Sequence, residues 1–228
     1  MRIAPESRPF LAAILVLIFP AWWLGGVGAA GLLAAAFLFV LFFFRDPARQ
    51  APTGAGLVLS PADGRVVDLE LVEDALFPDG RARRISIFLS LFNVHVNRSP
   101  VNGTVRTVRY SPGRFRAAFR DKASEENERN RLEIESDHGP MAVTQIAGAL
   151  ARRIVCDVSP GDRIAAGARF GMIRFGSRVE ILLPEAARSA VRVGQKVRSA
   201  STILARFTPG PVPDRQTGGS GILRAGDG

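Results

Sequence analysis

The sequence predicts a mainly β protein of the α+β class, preceded by a hydrophobic helical anchor. Three observations lead to this prediction. Apolar and polar residues alternate in the runs ISIFLSLFNVHV, RLEIES and RVEILL, and Gly, Pro, Asn or Asp residues separate these runs. Helix candidates are few beyond the first 44 residues. Two turn motifs each occur twice along the chain, which is typical of duplicated β-hairpins.

The N-terminal part of the chain is an uncharged apolar run from Phe10 to Phe44. One straight helix of this length would reach about 52 Å, whereas the hydrocarbon core of a bilayer is only about 30 Å thick. Pro20 and the pair Gly25-Gly26 interrupt the run near its middle. The pattern therefore indicates a helical hairpin, or one tilted span preceded by a re-entrant segment.

Positive charges flank both ends of this run, at Arg2 and Arg8 on one side and at Arg45 and Arg49 on the other. Positively charged flanks favour the cytoplasmic side of a membrane, so both ends are expected there. The run is too long for an ordinary signal peptide, and no convincing small-residue cleavage site follows it. Residues 1–44 are therefore predicted to be a retained membrane anchor.

The remaining chain is predicted to form one β-rich domain at 45–208 and a disordered tail, rich in Pro and Gly, at 209–228. The motif SPADGRV at Ser60 recurs as SPVNGTV at Ser99. The motif VSPGDRIAAGARFG at Val158 recurs loosely as VRVGQKVRSASTIL at Val191. In both pairs a Gly-containing turn leads into apolar alternation, so we interpret them as duplicated hairpins related by an approximate twofold axis.

The V-x-x-G-D-x-[IV] turns in the second pair resemble those of biotinyl and lipoyl carrier domains. A carrier needs an exposed lysine at a hairpin tip, and the sequence has no M-K-M-like tip, which argues against a carrier function. The best helix candidate in the domain runs from Arg114 to Asn130, although its polar second half is also typical of a mobile loop.

The formal net charge of +9 is shared with many nucleic-acid-binding proteins. Here the arginines are scattered and no aromatic-interleaved motif accompanies them, so no nucleic-acid partner is expected. Beside a membrane anchor, a basic surface favours anionic lipid headgroups instead. The single cysteine, Cys156, excludes a disulfide within the chain, and no Cys/His cluster indicates a metal site.

Three residues stand out as candidates for chemistry. His95 lies on the predicted strand face that carries Ile85 and Ile87, Asp63 lies in the turn PADG, and Ser177 follows Gly176 in FGSRVEILLP. Each alone has an ordinary structural explanation, as a core histidine, a turn-forming aspartate and a common dipeptide. Together they form a general-base set, in which the carboxylate orients the imidazole and the imidazole takes a proton from the hydroxyl. A serine hydrolase is one interpretation, although Ser177 lacks the G-x-S-x-G elbow.

Four motifs, SPADG, FNVHVNRSPVNG, AFRDKASEENERN and FGSRVEILLP, resemble in the same order those of phosphatidylserine decarboxylases, specifically the short bacterial type. The resemblance runs from about Arg45 to Phe207. It implies a pyruvoyl enzyme that cleaves its own chain between Gly176 and Ser177, with Asp63 and His95 assisting. It also implies that chains 1–176 and 177–228 remain associated, and that a pyruvoyl group derived from Ser177 is the cofactor, without a metal.

The same resemblance implies that phosphatidylserine in the bacterial cell membrane is the substrate, with the catalytic domain on the cytoplasmic face. A Schiff base on the pyruvoyl group would lead to phosphatidylethanolamine and carbon dioxide. Lys122, Asn127 and Arg129 are expected to bind the headgroup, with a solvated helix face as the alternative. Longer relatives carry a histidine where this chain has Phe92, so the identity of the proton donor to Cα stays open. Whether the chain forms a homo-oligomer also stays open.

Two other functions stay open on the sequence. A decarboxylase of another phosphoserine lipid would share every residue named above. A membrane-anchored adaptor built on lipoyl-like hairpins would keep the anchor and the repeats, but it would have no use for cleavage at Ser177.

Overall fold

The structure, a computed structural model, describes residues 2–113, 127–148, 153–174 and 177–207. These residues form a mainly β protein with a long N-terminal helix, which confirms the predicted fold class. The helical parts are a short 3-10 turn, Pro5–Ser7, and helix α1, Arg8–Phe43. The strands are β1 (Arg2–Ile3), β2 (Arg45–Asp46), β3 (Leu57–Leu59), β4 (Gly64–Glu73), β5 (Arg81–Leu89), β6 (Val96–Arg98), β7 (Gly103–Ser111), β8 (Arg129–Ser136), β9 (Gly139–Ala147), β10 (Ile154–Cys156), β11 (Arg163–Ile164), β12 (Arg169–Ile173), β13 (Ser177–Pro184), β14 (Arg188–Ser189), β15 (Lys196–Val197) and β16 (Ile203–Arg206).

Helix α1 reverses its direction at Gly26. Its two ends lie together, because β1 pairs antiparallel with β2 and the Ala4 N–H donates to the Phe44 carbonyl at 2.7 Å. The Phe10 and Phe44 rings also stack, with centroids 5.6 Å apart. Gly26 has φ +67° and ψ −162°, a conformation that only glycine adopts readily. Residues 8–25 and 27–43 are therefore two antiparallel arms of a helical hairpin.

The two arms face each other along a narrow apolar stripe. Half-buried residues recur every three or four positions on each arm, the spacing of one helix face. Most of the other side chains on the arms are exposed although they are apolar. The stripe includes Leu11, Ile14, Ile18 and Ala21 on the first arm and Ala30, Leu33, Phe37 and Val40 on the second.

The base of the hairpin is fixed to the β domain by charge and by apolar packing. Glu6 pairs with Arg169 of β12, and Asp46 pairs with Arg98 of β6. Ala4, Phe43, Phe44 and Met172 form a separate buried apolar cluster at the same junction. The hairpin is therefore held against β6 and β12 rather than joined by a linker.

The domain is built around an eight-stranded antiparallel sheet in the order β11-β7-β8-β9-β13-β5-β4-β15. This order reads as two matching half-sheets, because β11, β7, β8 and β9 correspond to β15, β4, β5 and β13. Residues on the inner face form one buried apolar core. Its largest members include Ile85, Ile87, Leu89, Leu132, Ile134, Met141 and Phe170.

The duplicated turns have the same local structure in both copies. The Ser60 hydroxyl donates to the Ala62 carbonyl at 2.7 Å, and the Ser99 hydroxyl donates to the Val101 carbonyl at 2.7 Å. In one copy the Val66 N–H donates to the Gln195 carbonyl, and in the other copy the Val105 N–H donates to the Asp162 carbonyl. Gln195 and Asp162 belong to the two copies of the second repeated motif. The predicted duplication is therefore present in the structure.

Glycine is required at the start of β4 and of β7 because a neighbouring strand passes very close. A Cβ on Gly64 would lie 2.2 Å from the Phe88 carbonyl oxygen, and one on Gly103 would lie 2.4 Å from the Glu135 carbonyl oxygen. Real Cβ atoms do not approach backbone oxygens so closely, so the sequence motif D/N-G at these points reflects strand packing.

The predicted continuous strand through His95 is wrong. The chain leaves the large sheet at Leu89, and β6 belongs to a different, three-stranded sheet with β10 and β12. The Asn93 side-chain oxygen accepts from the Ser90 N–H at 2.9 Å and from the Ser90 hydroxyl at 2.7 Å. Such local side-chain bonds compete with strand pairing and form a turn.

Two other predictions fall largely outside the described residues. The helix candidate at 114–130 lies outside them up to residue 126. Of its last residues, Arg129 and Asn130 begin strand β8 rather than end a helix. The tail at 209–228 also lies outside them.

Candidate active site

Three candidate residues lie at strand starts. Asp63 immediately precedes β4, His95 immediately precedes β6, and Ser177 is the first residue of β13. Ser177 is fully buried and pairs with Leu89 of β5 and Ala147 of β9. Its hydroxyl has no hydrogen-bond partner among the described residues. Gly176, on the other side of the candidate cleavage point, lies outside them.

Because a buried hydroxyl without a partner is uncommon in a folded protein, it marks a candidate reaction site. The central position of β13 matters here as well, since hydrogen bonds on both sides hold Ser177 in place.

His95 is buried against the base of the hairpin. Its imidazole packs on the Phe43 ring, with centroids 4.2 Å apart and an angle of 31° between the rings. Both residues are fully buried. Within the described part of the chain, neither imidazole nitrogen has a hydrogen-bond partner of good geometry. A neutral imidazole carries one N–H and one unprotonated nitrogen, and the unprotonated nitrogen can act as a proton acceptor in this apolar setting.

Burial lowers the pKa of the His95 imidazole from 6.5 to about 4. The Asn93 backbone partly opposes this shift in the pKa, and the positive charge of Arg45 adds to it. Because the charged ring is disfavoured in this environment, His95 is neutral at physiological pH. A neutral imidazole can accept a proton from a hydroxyl.

The chain itself limits the separation of His95 and Ser177. The Ile173 N–H donates to the His95 carbonyl at 3.3 Å, and Ile173 precedes Ser177 by four residues. Four residues span at most about 14 Å when fully extended. The two candidate residues therefore belong to the same region of the domain.

Asp63 does not contact His95 through a hydrogen bond, in contrast to the orienting role expected from the sequence. One carboxylate oxygen accepts from Arg49 at 2.7 Å, and the other accepts from the Ser199 N–H at 2.8 Å. Arg98, three residues after His95, donates its N–H to Pro61 beside the Asp63 turn at 3.0 Å.

The duplicated half of the domain separates two roles of Asp63. Its counterpart is Asn102, whose side-chain oxygen accepts from the Ala166 N–H at 2.8 Å, as Asp63 accepts from Ser199. The turn therefore needs a side-chain oxygen but not a negative charge. The charge is special to the copy that carries the candidate site, where it is balanced by Arg49.

A cavity of about 640 Å³ opens beside Asp63. Its lining combines positive charge with the polar groups of the turn before His95, which suits an anionic ligand. The sequence analysis did not single out these basic residues, because only the fold brings the second repeat next to β4. The lining residues include Arg65, Ser90, Asn93, Lys196 and Arg198.

Of the two expected headgroup-binding residues that the structure describes, Asn127 lies nearer to the start of β13. Its side chain is buried and donates to the Ala147 carbonyl at 2.7 Å, and Ala147 pairs with Ser177. Arg129 instead lines a different cavity, with Arg131 and Asp74. Lys122 lies outside the described residues.

Phe43 and Arg49 also contact the candidate site residues, although neither is predicted from the sequence as part of the site. Both lie at or just beyond the end of the apolar run, where the sequence shows only an anchor and its positive flank. Nothing in the pattern indicates that these residues contact His95 and Asp63. Over the described ranges, no three His, Cys, Asp or Glu side chains are grouped so as to hold a metal ion.

Comparisons with known proteins give this arrangement a family. A sequence model described as phosphatidylserine decarboxylase matches residues 36–205. A protein named phosphatidylserine decarboxylase proenzyme from Polynucleobacter asymbioticus is 49% identical over 205 residues, which cover 90% of this chain and 95% of that protein. Proteins of the same name from Burkholderia mallei and Ralstonia nicotianae are each 47% identical. Their matches cover 92% and 90% of this chain and 97% and 95% of those proteins.

The protonation of His95 can be tested directly, because the chain has only two histidines. In a His138→Gln variant, the remaining imidazole signal in nuclear magnetic resonance spectra belongs to His95. We expect it to stay neutral down to a pH near 4. Because the unfolded chain takes up this proton near pH 6.5, folding stability should fall as the pH drops from 6.5 toward 4. Titration of His95 near pH 6.5 in the folded protein would show that the ring is not buried as described.

Proposed function

The chain belongs to the phosphatidylserine decarboxylase family, and from this premise we propose that it converts phosphatidylserine to phosphatidylethanolamine and carbon dioxide after cleaving itself between Gly176 and Ser177. The observation that carries the proposal is the buried, unpartnered Ser177 hydroxyl at the start of a central strand. A fully buried histidine lies in the same region, and its ring nitrogens have no hydrogen-bond partner of good geometry among the described residues. The word proenzyme in the names of the relatives supports processing.

The self-cleavage begins with attack of the Ser177 oxygen on the Gly176 carbonyl carbon. His95 takes the hydroxyl proton, and that proton then goes to the Ser177 nitrogen as the amide bond breaks and an ester forms. Loss of the Ser177 Cα proton then expels the Gly176 carboxylate and leaves a dehydroalanine. Addition of water and loss of ammonia convert it to a pyruvoyl group, which supplies a ketone that binds the substrate amine and accepts electrons as carbon dioxide leaves.

The residues at the start of β13 fit such a group. Ser177 faces the buried core between Leu89 and Ala147, and its oxygen has no competing partner in the described part of the chain. The Asn127 side chain holds the Ala147 carbonyl, which fixes the neighbouring strand. The group would therefore form in a rigid setting, between two strands that are held in place.

The two chains produced by cleavage are proposed to stay together. Strand β13 is paired along its length with β5 on one side and with β9 on the other. Its inward side chains, Val179, Ile181 and Leu183, belong to the main core. Releasing the chain 177–228 would expose this apolar surface and break both ladders, so the association is expected to outlast cleavage.

The proposed location is the bacterial cell membrane, with the domain on the cytoplasmic face. The apolar hairpin and the arginines at its base support this location. Phe92 is 70% exposed beside this base, where the Arg45 guanidinium donates to its carbonyl. Since a phenylalanine carries no exchangeable proton, the proton delivered to the substrate Cα is proposed to come from His95 or from water.

Cleavage can be tested by intact-mass measurement of the purified protein. Wild type should appear as chains 1–176 and 177–228, with the shorter chain lacking a free amino terminus. Ser177→Ala should appear as one uncut chain without decarboxylase activity, because it has no hydroxyl to attack Gly176. Ser220→Ala, in the other Gly-Ser dipeptide, serves as the control and should process normally. An active wild-type preparation containing only the uncut chain would refute the pyruvoyl mechanism and favour an enzyme of another type.

The charge on Asp63 can be tested with a matched pair of variants. Asp63→Asn keeps the side-chain oxygen that the turn needs, as Asn102 shows, so the melting temperature should change by only a few degrees. Self-cleavage should slow by at least tenfold if the charge serves the reaction. Asn102→Asp places the same change in the other copy and should leave cleavage unchanged. Equal cleavage rates in Asp63→Asn and wild type would show that Asp63 serves only the turn and that its charge has no part in cleavage.

A further inference from the structure

The reversal of the hairpin carries both tryptophans of the chain. Trp22 and Trp23 lie four and three residues before Gly26 and are 51% and 73% exposed. Leu24 and Val27, on either side of the reversal, are even more exposed, at 85% and 79%. The end of the hairpin farthest from the domain is therefore an exposed apolar surface with two indole rings.

The composition of the arms excludes an orientation flat on the membrane surface. A helix that lies in the interface needs one polar face toward water and one apolar face toward lipid. From Phe10 to Phe44 there is no charged residue and no Ser, Thr, Asn, Gln or His. An all-apolar surface is stable only where hydrocarbon surrounds it, so the arms are directed into the bilayer.

The length of the arms sets how deep the tip reaches. The first arm, residues 8–25, and the second, residues 27–43, are each about 26 Å long at 1.5 Å per residue. The hydrocarbon core is about 30 Å thick. The arginines at positions 8 and 45 keep the base at one interface. The arms are about 4 Å shorter than the core, a mismatch that local thinning of the bilayer accommodates, so the tip lies close to the opposite interface.

The backbone at the reversal also disfavours a tip at the bilayer centre. Where a helix ends, its last carbonyls lack helical partners, and the next helix begins with amides that lack them too. Each such group costs several kcal/mol in hydrocarbon, where no water is available. A tip at the far interface meets water and headgroups, whereas a tip at mid-bilayer does not. Tryptophan itself is enriched at membrane interfaces.

We propose that the hairpin reaches through the hydrocarbon core to the opposite leaflet and returns, so that the indole rings of Trp22 and Trp23 lie just below the headgroups of the leaflet opposite the catalytic domain. The bilayer is the partner of this surface, and both arms contact lipid along their outer faces. The proposal rests on the membrane location proposed above but not on decarboxylation. It makes the protein a two-pass anchor with both ends on one side.

Intrinsic fluorescence tests this depth without any label, because the only two tryptophans lie at the tip. The full chain is inserted from outside into preformed phosphatidylcholine and phosphatidylglycerol vesicles, which leaves the domain outside. Quenching is then measured with lipids brominated near the headgroup or near the chain end, and with iodide either trapped inside or added outside. We expect headgroup-proximal bromines to quench more than chain-end bromines, and trapped iodide to quench several-fold more than external iodide.

A variant with its tryptophan along an arm calibrates the measurement. Trp22→Phe/Trp23→Phe/Leu32→Trp places a single indole on the exposed outer face of the second arm, about 16 Å from its base at 1.5 Å per residue and so near the middle of the hydrocarbon core. Chain-end bromines should quench this variant most. If they also quench the native tryptophans most, the tip stops inside the bilayer and the proposal is wrong. Stronger quenching by external than by trapped iodide would place the tip at the near surface and would also overturn it, whether or not the protein is an active decarboxylase.

Discussion

The contact between Phe43 and His95 joins the two parts of this protein. Phe43 is the last residue of the helical hairpin, and its ring lies 4.2 Å from the imidazole by centroid distance. The same contact buries both residues completely. The environment that keeps His95 neutral is thus made in part by the anchor. If the hairpin only tethered the domain, its last residue would not need to contact the candidate catalytic base.

This constraint explains why the hairpin is clamped to the domain rather than linked to it. Two ion pairs, Glu6 with Arg169 and Asp46 with Arg98, fix the base against β6 and β12. Both strands lie directly beside His95, since β6 begins at the next residue and Ile173 of β12 binds the His95 carbonyl. Movement of the hairpin base would therefore move the imidazole. Among the described residues, the His95 nitrogens and the Ser177 hydroxyl are buried without hydrogen-bond partners, which costs stability and is expected of a candidate reaction site.

The sequence predicted the features that depend on local pattern. The alternating runs became β8 and β13, the repeated turns became equivalent hydrogen-bonded turns, and Gly25-Gly26 became the reversal of the hairpin. What could not be predicted depends on contacts between distant segments. Asp63 was expected to hold His95, but Arg49 and the Ser199 N–H bind it, and both contacts depend on the tertiary fold. The strand through His95 was predicted as continuous because its apolar alternation is unbroken, whereas the Ser90–Asn93 turn ends it through side-chain bonds.

The most direct test of the link between anchor and active site is the rate at which newly made protein splits into two chains, compared in Phe43→Ala and Leu38→Ala. Leu38 is an exposed residue on the same arm and loses no contact with the domain. We expect Phe43→Ala to cleave at least tenfold more slowly than Leu38→Ala. We also expect it to show a higher pKa for His95, because water then reaches the ring. Phe43→Leu should retain most of the cleavage rate. Cleavage of Phe43→Ala at the rate of Leu38→Ala, with an unchanged pKa of His95, would contradict this link and reduce the hairpin to a tether.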